Sequence, residues 1–482
     1  MAQTARYLPL VEALTSVGFV VFAIQPPLTP HGADWSVGRR TRAMACTAIW
    51  AFTNGGWTES GEDRLNCDFV LAGHSRGGEA AHHFAANIVG ALNGSGIEDQ
   101  ILRGVVALAP RSRTNAEAAP DEGTSAILGD ESIPYLILHG ANDEDVKKDP
   151  TRSFEIVGHE ESALLPRHDK FLLWAHDISH NRWGGKLAAD DPKTAAIISH
   201  YVPAFLRWQI LENGDSSDRQ RFMDLLHFDR NTVTLDPSLD GTGFWANTSP
   251  EYADLDSPVI FGDFAHGLKG DSHKRLQIDN MLRASPDACI SAVSPASSSK
   301  VVTTTGFSNG QVCMGSSQNL TLPIPMGSAD TWHRETSAMR VRWGDLESGG
   351  TIQWAVDESL SEYSFLSLRA GQINHASPPT MTTMSVGLKT PSGMVSQVFP
   401  VDVDLYTQDD FSVTVGAHTS QTVNFMRSIR IPLSAFCDQG ADISDVEAVV
   451  ITFPNDVDSR TVLLDSIEFT KADDEKDMGQ CL

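Results

Sequence analysis

Up to Gln209 the apolar positions follow two rhythms in turn, short continuous runs and stripes at helical spacing. That alternation predicts an α/β fold, a mostly parallel sheet with helices on both faces. Tyr7, Leu10, Val11 and Leu14 form one stripe, ended by Gly18 ahead of the run Phe19 to Ile24, which reads as a buried strand. Met44, Ala45, Ala48, Ile49 and Phe52 mark a second helix, broken at Asn54-Gly55-Gly56. Phe69 to Ala72, Gly104 to Ala109, Tyr135 to Leu138 and Phe171 to Trp174 are continuous apolar runs of the kind that suits strands covered on both faces. A closing helix runs from about Thr194, with Ala195, Ile198, Val202 and Phe205 on one side and a kink expected at Pro203.

Beyond Asn213-Gly214-Asp215-Ser216-Ser217 the texture changes to turn-rich sequence with period-two alternation. Met339, Val341 and Trp343 alternate with arginines, Ile429 and Ile431 with Arg430, and Ile467 and Phe469 with Glu468, as in half-buried strands. Many short strands between Gly, Pro, Asp and Ser clusters predict a β-sandwich or jelly roll. The expected organisation is an α/β domain over residues 1–212, a β-sandwich over 300–475 and an acidic tail over 476–482. Residues 213–299, with the strand-like Val259-Ile260-Phe261 and the serine-rich Ser294 to Ser299, read as a linker or as the start of the β-domain.

A formal net charge of -26 repels phosphate backbones and anionic lipid surfaces, so nucleic acid is not expected as a partner. No run of about 18 apolar residues is present to cross a bilayer as a helix. The six cysteines lack the close paired spacing of a zinc site, and no metal ligand set is expected. Cys46 with Cys67 is the most local disulfide candidate, set against idle thiols. The expected location is secreted or periplasmic, although Met1-Ala2-Gln3-Thr4 is neither a basic nor an apolar leader.

Gly73-His74-Ser75-Arg76-Gly77-Gly78 lies between a strand and a helix, the setting of a nucleophile elbow. A serine on so sharp a turn crowds the backbone on both sides, so glycines two residues before and after let the neighbouring chain approach. The helix start aims N–H groups at developing negative charge, and the backbone N–H of Arg76 is the expected oxyanion donor. A serine hydroxyl needs a base, and the base needs an acid to fix its tautomer. The strand Tyr135 to Leu138 runs into His139-Gly140-Ala141-Asn142-Asp143, which offers Asp143 as the acid, with Glu144 and Asp145 as competitors. The strand Phe171 to Trp174 leads to His180 as the base, with His176 as rival. The order Ser75, Asp143, His180 is the order that this fold uses. Trp174 and Trp183 flank the base and are candidates for an acyl or alcohol pocket, against a core role for Trp174. His82-His83 reads as packing or exposed residues rather than metal ligands, since adjacent helical residues point in different directions.

These motifs make residues 5–209 resemble an α/β-hydrolase of the esterase, chlorophyllase and polyester-hydrolase branch. The resemblance implies hydrolysis of a carboxylic ester, small or polymeric, through an acyl-enzyme on Ser75, with no cofactor. In such relatives a His-Gly-rich loop after an earlier strand supplies a second oxyanion N–H. The chain as given opens after that strand, and His31-Gly32 lies in the wrong place to substitute, so the catalytic domain is expected to be N-terminally incomplete or the donor to come from another segment. Ala448 to Phe453 and Val462 to Phe469 resemble the galactose-binding-like jelly rolls of secreted carbohydrate-active enzymes. That resemblance implies carbohydrate contact, with Trp332, Trp343 or Trp354 as stacking candidates, or a structural role, and allows a structural calcium. The alternative reading is a catalytically impaired hydrolase-like protein that acts as a glycan- or surface-binding module.

Overall fold

The computed structural model describes residues 7–24, 37–54, 68–86, 101–111, 133–140, 143, 145–146, 170–175, 178–184 and 192–210, and then 248–253, 259–262, 289–290, 302–305, 311–315, 338–343, 351–356, 359–373, 382–401, 413–414, 420–421, 427–452 and 460–470. These fall into two compact units, Met1–Leu255 and Asp256–Leu482.

The first unit is built on a five-stranded sheet ordered β1 (Asp68–His74), β2 (Ile101–Leu108), β3 (Tyr135–Gly140), β4 (Lys170–Ala175) and β5 (Thr248–Ala253). β1 to β4 run parallel, and β5 joins antiparallel to β4. The segment between the expected domains therefore contributes to both units, because β6 (Val259–Gly262) pairs with a strand of the second.

Every residue of β3 and β4 is buried, as expected of their continuous apolar runs, but β1 is half-buried at every position except Leu71. On one face Val106, Leu108, Leu136, Leu138, Phe171 and Leu173 share a core with Leu10 and Leu14 of helix α1 (Leu8–Ser16) and Ile198, Val202 and Phe205 of helix α4 (Pro192–Ile210). The opposite face meets α3 (Arg76–Ala86), whose Phe84 lies edge-on to Phe69 and whose His82 lies edge-on to Tyr135. Helix α2 (Val37–Asn54) packs on α3. The result is a helix–sheet–helix sandwich with few polar backbone groups left to satisfy between the layers. Among the described residues no helix is long and apolar enough to cross a membrane.

One expectation fails here. Phe19 to Ile24 does not form a strand: among the described residues the segment has no ladder partner. Phe19 and Val21 pack against the core, while Val20 and Ile24 are exposed. An apolar run becomes a strand only where a neighbour meets its N–H and C=O groups, and none of the described strands does so for this run.

Among its described residues the second unit holds two main antiparallel sheets and a two-stranded ribbon of β15 (Val413–Thr414) and β16 (Ser420–Gln421). The larger has the order β17 (Arg427–Pro432), β12 (Phe365–Ile373), β19 (Arg460–Thr470), β10 (Ala338–Trp343), β9 (Gln311–Gly315) and β7 (Cys289–Ile290), with β6 also on β19. The smaller has the order β14 (Gly393–Val401), β13 (Thr382–Thr390), β18 (Ala448–Thr452), β11 (Thr351–Ala355) and β8 (Val302–Thr305). In the smaller sheet Ile352, Ile451 and Val386 stand in register, as do Trp354, Val449 and Leu388, all buried. Such cross-strand rows are what hold a sheet face together. The alternation expected at the end of β19 is only half right: Ile467 and Phe469 are buried, but so is Glu468, which sits in register with the buried Ser367 rather than facing water. Trp354 is wholly buried and offers no surface for a sugar.

Candidate active site

Ser75 occupies the turn between β1 and α3 with φ 56°, a left-handed conformation that costs a side-chain-bearing residue on the order of 1 kcal/mol. The surrounding backbone holds it there. Its N–H donates to the carbonyl of Leu108 at 2.9 Å, and its own carbonyl accepts from the N–H of Glu79 and of Arg111, each at 3.1 Å. Gly73 and Gly78 are there for space, whereas the glycine two residues after Ser75, Gly77, expected to serve the same purpose, would hold a Cβ with nothing within 4 Å. A Cβ on Gly73 would collide with the backbone of Gly77, and one on Gly78 would lie 2.9 Å from the Cβ of Pro110 and 3.1 Å from the carbonyl oxygen of Gly73. Arg76 opens α3, so its backbone N–H belongs to the first turn, where no intrahelical carbonyl is available to it.

The structure brings Asp143 and His180 together. The Nδ1–H of His180 donates to Asp143 Oδ2 at 2.7 Å, a charge-assisted bond between two buried side chains. The other carboxylate oxygen of Asp143 accepts the backbone N–H groups of Asp145 and Val146, each at 3.0 Å. Burial alone would raise the pKa of Asp143, but the His180 hydrogen bond, the nearby His139 ring and the Val146 N–H outweigh it and hold the carboxyl below its ordinary range. The two loops approach closely because residue 140 is glycine: a Cβ there would strike the carbonyl of Ile178, two residues before the base.

Two contacts were not visible in the sequence. The first is His74, inside the serine motif. Its Nε2–H donates to the backbone carbonyl of His180 at 3.1 Å, which leaves Nδ1 to accept the Tyr7 hydroxyl at 3.3 Å. Its ring lies 4.6 Å from the ring of His180. The serine turn and the histidine loop are thus joined through the residue adjacent to Ser75. Burial, and then the nearby His180, lower the pKa of His74 to about 4, so it serves as a neutral spacer at neutral pH. The second is Asp145. Instead of competing with Asp143 for Nδ1, its Oδ2 lies 3.3 Å from His180 Nε2, and among the described residues no hydrogen bond links that nitrogen to Ser75.

Trp174 and Trp183 are placed as core residues rather than as walls of an open pocket. Both are almost fully buried; Trp174 packs its ring 4.8 Å from that of His139, and Trp183 belongs to the α1–α4 core. His82 and His83 are also buried. Cys46 is an exposed free thiol, so the Cys46 to Cys67 bridge does not form, whereas Cys437 is disulfide-bonded. Glu144, His176, His31, Gly32, Cys67, Trp332, the serines 294–299 and the tail from residue 471 lie outside the described residues.

No family model and no curated relative matches the sequence. Among solved structures the chain is similar to a family 11 carbohydrate-binding module from Clostridium thermocellum, with 11% identity over 37% of this chain and 94% of that one and a TM-score of 0.22. A family 30 carbohydrate-binding module gives 15% identity over 40% of this chain and 88% of that one, with a TM-score of 0.23. An exo-β-agarase gives 7% identity over 38% and 25%, with a TM-score of 0.24. TM-scores of this size do not establish a shared fold.

Proposed function

We propose that the chain is a serine hydrolase of the α/β-hydrolase type that cleaves carboxylic esters through an acyl-enzyme. The observation that carries this reading is a serine held in a left-handed turn and joined, through the bond of its neighbour His74 to the His180 carbonyl, to a histidine whose Nδ1 is bonded to a buried carboxylate. Asp143 fixes the tautomer of His180 with hydrogen on Nδ1, leaving Nε2 as the base. His180 takes the proton of Ser75 as the oxygen attacks the ester carbonyl, and the Arg76 N–H donates to the resulting oxyanion. The imidazolium then passes that proton to the departing alcohol, and the acyl group stays on Ser75. Water, deprotonated by the same nitrogen, releases the acid and restores the serine. The chemistry calls on no cofactor.

The β-unit is assigned to substrate contact, with carbohydrate as the ligand class, on its resemblance to jelly rolls in the segments that form β18 and β19. The disulfide at Cys437 supports an oxidising compartment, secreted or periplasmic.

Hydrolysis of short-chain p-nitrophenyl esters tests the main reading. The protein turns over and Ser75→Ala does not; equal rates for the two would remove it. The second reading, a catalytically impaired scaffold that binds a glycan or surface, is favoured by one observation: Asp145 stands at the nitrogen that the serine requires. Glycan binding by a wild-type protein inert toward every ester would support it.

A further inference from the structure

We infer that Asp145 selects the alcohol portion of the substrate, favouring esters whose leaving group carries a cation or hydrogen-bond donors over those whose leaving group carries an anion. The inference rests on the serine-hydrolase reading and concerns the same site.

In acyl transfer the departing oxygen must come within hydrogen-bond reach of Nε2, because that nitrogen returns the proton. Asp145 Oδ2 is already 3.3 Å from the same atom. Two groups that share one nitrogen are close to each other, so the leaving oxygen lies within about 6.5 Å of this carboxylate. Substituents one or two bonds further into the alcohol lie within about 9 Å of it, and the acyl chain extends from the other side of the carbonyl carbon.

The position of Asp145 is set by the chain. Its N–H is tied to Asp143 Oδ1 at 3.0 Å, and Asp143 is in turn tied to His180 Nδ1 at 2.7 Å. One short turn therefore supplies a buried carboxylate to one side of the imidazole and an exposed carboxylate to the other. The two differ in accessibility, with 0% side-chain exposure for Asp143 and 73% for Asp145. The buried one orients the ring, and the exposed one meets what arrives from solvent.

Nε2 can donate to Asp145 only when His180 carries both protons. For the ring to act as a base, Asp145 must give up that contact. A leaving group with hydroxyls or a cation offers the carboxylate a replacement partner at that moment, whereas a carboxylate- or phosphate-bearing alcohol adds repulsion. A unit charge about 6 Å from an exposed carboxylate changes an interaction by roughly 3- to 10-fold in equilibrium or rate, depending on how much water remains between them.

The test holds the acyl group constant and varies only charge: butyrylcholine, its neutral isostere 3,3-dimethylbutyl butyrate, and 3-(butyryloxy)propionate, each with wild type and Asp145→Asn. Asparagine keeps the size and removes the charge. The ratio of kcat/KM between cationic and neutral esters should fall by about 3- to 10-fold in the variant, and the ratio between anionic and neutral esters should rise by a similar factor. Added salt should compress the wild-type ratios more than those of the variant. Taking ratios within each protein cancels any general loss of activity in the variant. Ratios that are the same in both proteins overturn the inference while leaving the hydrolase reading intact. Failure of the wild type to hydrolyse any of the three esters removes the hydrolase reading and this inference with it.

Discussion

Acidification should weaken the first unit by an amount that two buried imidazoles set. Burial lowers the pKa of His74 to about 4, with a smaller contribution from His180, and lowers that of His82 to about 3, with a smaller contribution from His83, against an ordinary value of 6.5. Both groups have folded pKa values below their unfolded ones. Their stabilising contribution is therefore complete above 6.5 and is lost as pH falls toward the folded values. At about pH 5 the unfolded chain has bound both protons and the native one almost none, which costs about 2 kcal/mol for each histidine and about 4 for the pair. The titration of Asp143 lies below this window, since its depressed carboxyl stays ionised throughout. The two histidines can be separated. Neither ring nitrogen of His82 makes a hydrogen bond among the described residues, and its ring lies edge-on to Tyr135 at 5.3 Å, a contact phenylalanine can keep. His82→Phe should raise stability at about pH 7.5 by about 1–3 kcal/mol by removing a buried polar ring with no hydrogen-bond partner among the described residues. It should also halve the loss between about pH 7.5 and pH 5, from about 4 to about 2 kcal/mol. Hydrogen exchange of peptides from α3, β2 and β3 across that range reads the first unit separately from the second. An unchanged pH dependence in His82→Phe, or a variant less stable than wild type at neutral pH, would refute the reasoning.

Three further predictions follow from the site and its surroundings. Asp143→Asn presents an amide to Nδ1, so the proton moves to Nε2; hydrolysis should drop by about 10⁴-fold, and a loss under about 10-fold would mean that His180 is not the base. Because the asparagine oxygen can still accept from Val146 and Asp145, melting should show this variant to be more stable than Asp143→Ala, which strands both N–H groups. Gly140→Ala should force the Ile178 carbonyl away and pull His180 from Asp143, so that activity falls further than the about 1–3 kcal/mol of overpacking would suggest; kinetics and a melt on the same sample would show wild-type kcat if the contact is relieved harmlessly. Iodoacetamide should modify Cys46 in the native protein and the Cys437 peptide only after reduction, as peptide mapping would show; protection of Cys46 would contradict its placement as an exposed free thiol.

The parallel strands were legible because a strand buried on both faces needs an unbroken apolar run, and few other elements of that length do. The serine turn was legible for a similar reason: Gly73 before Ser75 and Gly78 after it are demanded by contacts that leave little volume for a Cβ, although Gly77 is not. Asp143 and His180 could be chosen by chain order, but their rivals could not be ranked by sequence alone. The structure gives Asp145 a different task, because the turn that aims Asp143 at Nδ1 carries the residue two positions later round to Nε2. Phe19 to Ile24 was misread because a hydrophobic run states what is buried, while pairing depends on a neighbour elsewhere in the chain. His74 was overlooked as a spacer residue inside a motif; its role needs the carbonyl of His180, 106 residues away. Tyr7 counted as one more apolar position in a helical stripe, yet its hydroxyl is the group that reaches the site.

The central claim is that Ser75 is a nucleophile activated by His180, and a fluorophosphonate probe with adduct mapping by mass spectrometry tests it most directly. The account predicts one covalent adduct, on Ser75, absent in Ser75→Ala and formed far more slowly in His180→Ala. A folded wild-type protein that forms no adduct, or that carries it on another residue, would contradict the account.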